Sequence, residues 1–474
     1  MKILCHAFLT LFTAVAVTSA AEFPAPKSLG ATENYGRNIQ RTMKLLASST
    51  PEKRNTVRVL FYGQSITEQK WSEIVADDLR TRFPHADLVI ENRALGGYVS
   101  QLLIKTAETD LYPFQPDLLI FHVYGAHDKY EDIIRRTRER TCAEILIQTD
   151  HPTKTADLTE ETDPSKATIQ GGHWEAFFNN NFLPSIARQY GAELCDQRKI
   201  WKQYLTDHKL EPQALLSDAV HLNKHGEYLM AEIVKAHLRR DPKFDPAPAE
   251  AWVKTYMVGQ DVKVTDGKLS LEFEGNRVDV ICKAGTAPAA QVMIDGRKPS
   301  EIPELYAFTP AVTTPPGKWR VKWPVVAPVT SEKPLVIEEW SMDITKPPGS
   351  DEKLFTFVLT GSKTGPDGEG RSDAPFVSKS GRVVLSPEAW DAHYALALAG
   401  MKPVPEKFVA KWSVIPRFVD EIIFPENQKS GMETSITIAQ GLANSSHKVE
   451  IAATPETPIL AIRVYQPPLS AKPR

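Results

Sequence analysis

Cysteine is scarce in this chain, with 4 in 474 residues, and that excludes a small disulfide-stapled architecture. Past the leader only Cys142, Cys195 and Cys282 remain, an odd number that allows at most one bridge. Cys142 and Cys195 each adjoin an apolar strand-like run, where a buried free thiol is the expectation; a bridge between them stays open. A surplus of one charge is missing too. The 56 Lys and Arg against 59 Asp and Glu leave a formal net charge of -3, and the signs are interspersed, so no nucleic-acid partner and no attraction to an anionic membrane are expected. A membrane-spanning run is also lacking. The apolar stretch over residues 3–17 is interrupted and falls short of the roughly 20 residues that cross a bilayer, so no membrane insertion is expected.

What that stretch does have is Lys2 before it and Thr18-Ser19-Ala20-Ala21 after it. Charged, apolar and small residues in that order predict a secretory signal over residues 1–21, cleaved after Ala20 or Ala21, and hence a periplasmic or secreted protein. Cys5 lacks the small-residue context of a lipidated cysteine. The remaining length predicts two folded domains. From residue 57 to 240, short apolar runs at 57–62, 88–92, 117–123, 144–148 and 192–195 alternate with amphipathic stretches at 71–83, 101–109, 131–141, 174–190 and 224–239. That pattern predicts a parallel sheet of five strands covered by helices on both faces. A proline-rich linker follows at 241–250, and then alternating runs at 269–273, 277–281, 290–294, 335–339, 353–359 and 459–464 predict an all-β accessory domain, a sandwich or jelly roll, over 251–474. Residues 365–370 read as a loop by composition.

The first strand runs into Tyr62-Gly63-Gln64-Ser65-Ile66-Thr67. A glycine there lets the chain turn and present a serine hydroxyl at the sheet's carboxyl edge, where such folds bind ligands. Serine becomes a nucleophile only when a base takes its proton. Ser217-Asp218-Ala219-Val220-His221, in a loop before the last helix, offers both a base and a carboxylate to orient it. Acyl transfer also needs donors for the developing oxyanion. Two glycine-bearing loops on the same edge can supply them, Asn92-Arg93-Ala94-Leu95-Gly96-Gly97 after the second strand and Tyr124-Gly125-Ala126-His127-Asp128 after the third.

Taken in order, these four blocks resemble the SGNH (GDSL-like) hydrolases, over residues 57 to 240. The resemblance implies a three-layer α/β/α sandwich of flavodoxin-like form. It implies Ser65 as nucleophile, His221 as base, Asp218 as its orienting carboxylate, the N–H groups of Ser65 and Gly97 as oxyanion donors, and no cofactor. Two positions depart from the family pattern. Gln64 stands where aspartate is usual, a variation similar to that of sialate and plant-polysaccharide acetylesterases, and it tilts the substrate toward acetylated sugars. His127 stands where the family has its oxyanion-hole asparagine; an imidazole N–H can donate as an amide does, so an oxyanion donor and a cleft-lining side chain both stay open.

His221 and His225 are four apart, but without a zincin glutamate or a third ligand they predict no metal. Residues 363–365 and 445–448 echo penicillin-binding motifs in the wrong order. Residues 151–174 read as a surface insertion from which His151, His173 and Trp174 could reach the cleft, Trp174 as a platform for a sugar ring. The expected partner is an acetylated carbohydrate, with the oligomeric state open. A lipid esterase or thioesterase using the same triad is one alternative; a catalytically silent carbohydrate-binding protein is another.

Overall fold

The computed structural model describes residues 22–163, 165–166, 174–314 and 321–470. The predicted signal segment and His173 lie outside them. Five parallel strands form the first sheet: β1 Thr56–Gly63, β2 Asp87–Asn92, β3 Leu118–His122, β4 Glu144–Gln148 and β5 Glu193–Cys195, in the order β2-β1-β3-β4-β5. Nine helices are described in this half: α1 Gln40–Ala47, α2 Ser65–Glu68, α3 Trp71–Arg82, α4 Ser100–Asp110, α5 His127–Arg140, α6 Trp174–Phe177, α7 Leu183–Tyr190, α8 Gln197–His208 and α9 Lys224–His237.

Alternation along β1 divides the core into two layers. Val57, Val59 and Phe61 point into a cluster with Met43, Trp71, Leu79, Trp201 and Met230, from α1, α3, α8 and α9. Leu60 and Tyr62 point the other way, among Leu103, Tyr130, Ile134 and Ile186 from α4, α5 and α7. This is the expected three-layer sandwich, and its strands are apolar throughout because both faces are covered. The chain leaves β1 toward β2 on one side and returns through β3 on the other, which opens a crevice at the carboxyl ends of β1 and β3.

Two local expectations change, and a third gains detail. The stretch 174–190 is not one α-helix: Phe178–Phe182 widen into a π turn between α6 and α7. Pro184 cannot donate into an α ladder, and the wider turn lets Asn179 Oδ1 accept the Asp150 N–H at 2.6 Å. Residues 151–163, read as part of a surface insertion, are fastened to α8, because the half-buried Glu160 carboxylate accepts Arg198 Nε at 2.7 Å and Lys202 Nζ at 2.6 Å. Residues 365–370 form a strand, Gly365–Arg371, paired with Thr356–Gly361. Composition reads this segment as loop because it holds three glycines and a proline; pairing on one side only tolerates them, and Ser380 binds the buried Asp367 through N–H and hydroxyl at 2.8 and 2.7 Å.

After residue 250 the chain is mainly antiparallel β, as expected, but in two units with separate cores. A seven-stranded sheet carries the long strands Lys268–Cys282 and Thr434–Ala452, so the runs at 269–273 and 277–281 belong to one strand. A six-stranded sheet is built from segments between Tyr306 and Pro416, and the run at 335–339 precedes its strand Glu339–Thr345. Their apolar clusters, around Val280 and Ile451 in one and Trp340 and Phe357 in the other, are distinct. Cys142, Cys195 and Cys282 are free and buried.

Candidate active site

Ser65 opens α2 directly beyond β1. Gly63 makes that turn possible, since a Cβ there would stand 2.1 Å from the His122 carbonyl oxygen of the neighbouring strand. The turn is fastened from inside: Trp71 Nε1 donates to the Ile66 carbonyl at 2.6 Å and Thr67 Oγ1 to the His122 carbonyl at 3.2 Å. Gln64 is buried, and the Tyr124 hydroxyl faces its amide. The Ser65 N–H heads the helix, where no intrahelical acceptor exists.

The loop before α9 brings the other two side chains. Ser65 Oγ lies 2.9 Å from His221 Nε2, and His221 Nδ1 lies 2.7 Å from Asp218 Oδ2. Asp218 Oδ1 also accepts the N–H groups of Val220 and His221, each at 2.8 Å. These donors, the His221 N–H foremost, push the Asp218 carboxyl down to about 2. A carboxylate ionised at every working pH makes Nδ1 the protonated nitrogen and leaves Nε2 free to accept from Ser65.

Two further residues hold this loop, and the sequence reading assigned neither a role there. Gln69 grips Leu222 at both ends, its Nε2 donating to the carbonyl at 2.8 Å and its Oε1 accepting the N–H at 2.9 Å. His151 is buried at 5% exposure, with Nε2 2.9 Å from the Val220 carbonyl and its ring tilted against Trp201. It meets the loop of His221 through this backbone contact, from a buried position. Burial first, then His122, pushes its imidazole down to about 4. His122 itself lies 3.1 Å from Asp150.

Gly97, in the loop after β2, has φ +80, a left-handed conformation that favours glycine. His127 starts α5 inside an aromatic nest: its ring stacks on Trp174 at 5.6 Å and Phe178 at 5.5 Å, and is tilted toward Phe182 at 4.6 Å. Burial lowers its pKa, and its Nε2 is buried with no hydrogen-bond partner among the described residues. Trp174 backs His127 and is half-buried. Tyr124 and Tyr394 are exposed at 39% and 40%.

The decoys separate. His225 turns from His221 to bond Tyr204 at 2.6 Å and stack on Phe23. Ser445, His447 and Asp295 mimic a triad in the seven-stranded sheet at 3.3 and 2.7 Å. There His447 Nε2 lies nearer the Ala443 carbonyl, at 2.9 Å, which requires a proton on the nitrogen a base would need free. A cavity of about 290 Å³ between Arg37, Arg138, Trp252 and Leu469 includes Glu144, the first residue of β4, and so sits at the sheet's other end.

A three-layer α/β fold with a hydrogen-bonded Ser–His–Asp series at its carboxyl edge is the class of protein the structure defines. Among solved structures the chain is similar to a two-domain esterase active on acetylated mannans, at 14% identity and TM-score 0.33, covering 93% of this chain and 100% of that one. It is also similar to an acetylxylan esterase from Geobacillus stearothermophilus, at 17% identity and TM-score 0.32, covering 40% and 96%, and to an acetyl xylan esterase at 19% identity and TM-score 0.30, covering 38% and 98%. No family model matches the chain, and no curated protein does.

Proposed function

We propose that this chain is an exported serine esterase of the SGNH type that removes O-acetyl groups from polysaccharides or oligosaccharides. The observation that carries the reading is the continuous hydrogen-bond series Ser65 to His221 to Asp218, at 2.9 and 2.7 Å. In this mechanism His221 Nε2 takes the Ser65 proton as Oγ attacks the ester carbonyl, and Asp218 steadies the imidazolium. The N–H groups of Ser65 and Gly97 receive the oxyanion. The imidazolium then protonates the departing sugar oxygen as its bond to the acyl carbon breaks, freeing the sugar hydroxyl, and water, activated by the same base, releases acetate from the acyl-serine. Acyl transfer by this route uses no cofactor. A sugar substrate is supported by Gln64 and by the exposed rings of Tyr124 and Tyr394, which offer flat faces to a pyranose. Export rests on the leader sequence; among the described residues no helix is long and apolar enough to cross a membrane. Residues 22–240 are the catalytic domain, 241–250 the linker and 251–474 the accessory region.

Acetate release from an aryl acetate and from a panel of acetylated glycans tests the reading, with Ser65→Ala beside the parent. The expected loss in Ser65→Ala is at least about 10³-fold. Equal rates would remove Ser65 from the chemistry, and a steep preference for long-chain esters over acetate would move the substrate to lipids.

A further inference from the structure

The loop that offers the Gly97 N–H is not held by the catalytic half alone. Trp323 Nε1 donates to the Gly96 carbonyl at 2.8 Å, and the Tyr394 hydroxyl donates to the Gly97 carbonyl at 2.9 Å. Both side chains come from the region that carries the six-stranded sheet, more than two hundred residues downstream. The Gly96 N–H is held as well, by Glu68 Oε1 at 2.7 Å, and Glu68 is ion-paired to Lys322. The Lys322 ammonium sits 4.7 Å above the Trp323 ring. Trp323 packs against both the catalytic core and the core of the six-stranded unit. Tyr98 stacks on Tyr394 and donates to the Pro324 carbonyl at 3.3 Å.

The atoms involved give this contact a chemical consequence. The carbonyl of Gly96 and the N–H of Gly97 belong to one planar peptide unit and point in opposite directions. A donor on that carbonyl therefore fixes where the N–H points. Without it, a Gly-Gly pair has the least conformational resistance to a peptide flip, and the flip would turn a carbonyl oxygen toward a developing oxyanion. A hydrogen bond to the carbonyl also polarises the unit and strengthens its N–H as a donor.

We infer that Trp323 is a positioning residue for catalysis, which sets the Gly97 N–H as an oxyanion donor, so that docking of the six-stranded unit completes the active site. The inference rests on the esterase reading and on Gly97 as donor. Trp323 does not touch the ester; it acts through one peptide plane.

The test uses the full chain, an aryl acetate that has no sugar to stack, and Trp323→Phe, which keeps an aromatic ring and loses the N–H. The kcat is expected to fall at least tenfold, toward the roughly 10²–10³ that removal of one oxyanion donor costs, with KM within twofold and the thermal midpoint near the parent's. Because the smaller ring could disturb docking, a second variant carries benzothienylalanine at 323, an isostere of the indole without its N–H, and the same loss is expected. A kcat within twofold of the parent in the isosteric variant overturns the inference. So does a defect seen only as a raised KM on acetylated oligosaccharides, which makes Trp323 a sugar platform. The esterase reading fails separately, through a parent that releases no acetate or a Ser65→Ala variant equal to it, and then the inference falls with it.

Discussion

Asp218→Asn isolates one role of a carboxylate that has two. Oδ1 caps the turn by accepting two N–H groups, and Oδ2 faces His221 Nδ1. An asparagine can keep its oxygen on the two backbone donors, which preserves the turn, but its amide nitrogen then points a donor at Nδ1. The imidazole responds by carrying its proton on Nε2, where it can no longer accept from Ser65. Flipping the amide restores the useful tautomer and abandons two backbone hydrogen bonds, at about 1 kcal/mol each, so the productive form drops roughly thirtyfold. Lost attraction to the imidazolium adds to this. The Asp218 side chain is 56% exposed, so that attraction is screened to about 1–2 kcal/mol, or another five- to thirtyfold. Together these predict a fall in kcat of roughly 10²–10³ with KM little changed and the thermal midpoint within a few degrees. Steady-state kinetics on an aryl acetate, beside thermal unfolding followed by circular dichroism, measures both. A loss below about tenfold in a well-folded variant would refute the tautomer argument.

Gly97→Ala is expected to lower kcat about a hundredfold, because a Cβ at φ +80 would stand 2.9 Å from Leu398 Cδ2 and 3.2 Å from the Tyr394 hydroxyl, displacing the oxyanion donor; turnover within threefold of the parent would contradict it. His151 predicts a pH dependence of stability. Its folded pKa of about 4 lies below the ordinary 6.5, so the unfolded chain binds more protons between those values, and stability falls as the pH drops from 6.5 to 4 and levels off below. At about 1.4 kcal/mol per unit this one group contributes up to ~3 kcal/mol. Urea unfolding at pH 7, 5.5 and 4 checks it, and a parent with the same acid slope as His151→Phe would rule it out.

Much of the α/β half was legible along the chain. Strands buried on both faces must be apolar throughout, so all five were found within a residue or two, and Ser65 and Asp218 with His221 stood out because turn chemistry puts them at strand and helix boundaries. Other elements were hidden for physical reasons. The helix α1 was not anticipated; its buried residues include Gln40, Arg41 and Thr42, which an apolar period does not reveal, since Arg41 and Thr42 are buried by N–H bonds to Glu144. The strand Gly365–Arg371 carries glycine and proline that propensity assigns to loops. His151 was noticed as a side chain able to reach the cleft, yet its contact with Val220 spans 69 residues.

The sequence by itself determined the order of elements, the change from alternating α/β to antiparallel β after residue 250, and which serine, histidine and aspartate could work together. Those depend on periodicity and on short-range turns, which the chain carries locally. The tertiary structure alone decided that the later β region divides into two cores, that Gln69 and His151 brace the loop of His221, and that Trp323 and Tyr394 grip Gly96 and Gly97. Such contacts are made by single side chains meeting backbone carbonyls and amides far away in sequence, and a backbone amide leaves no mark in the residues that spell it.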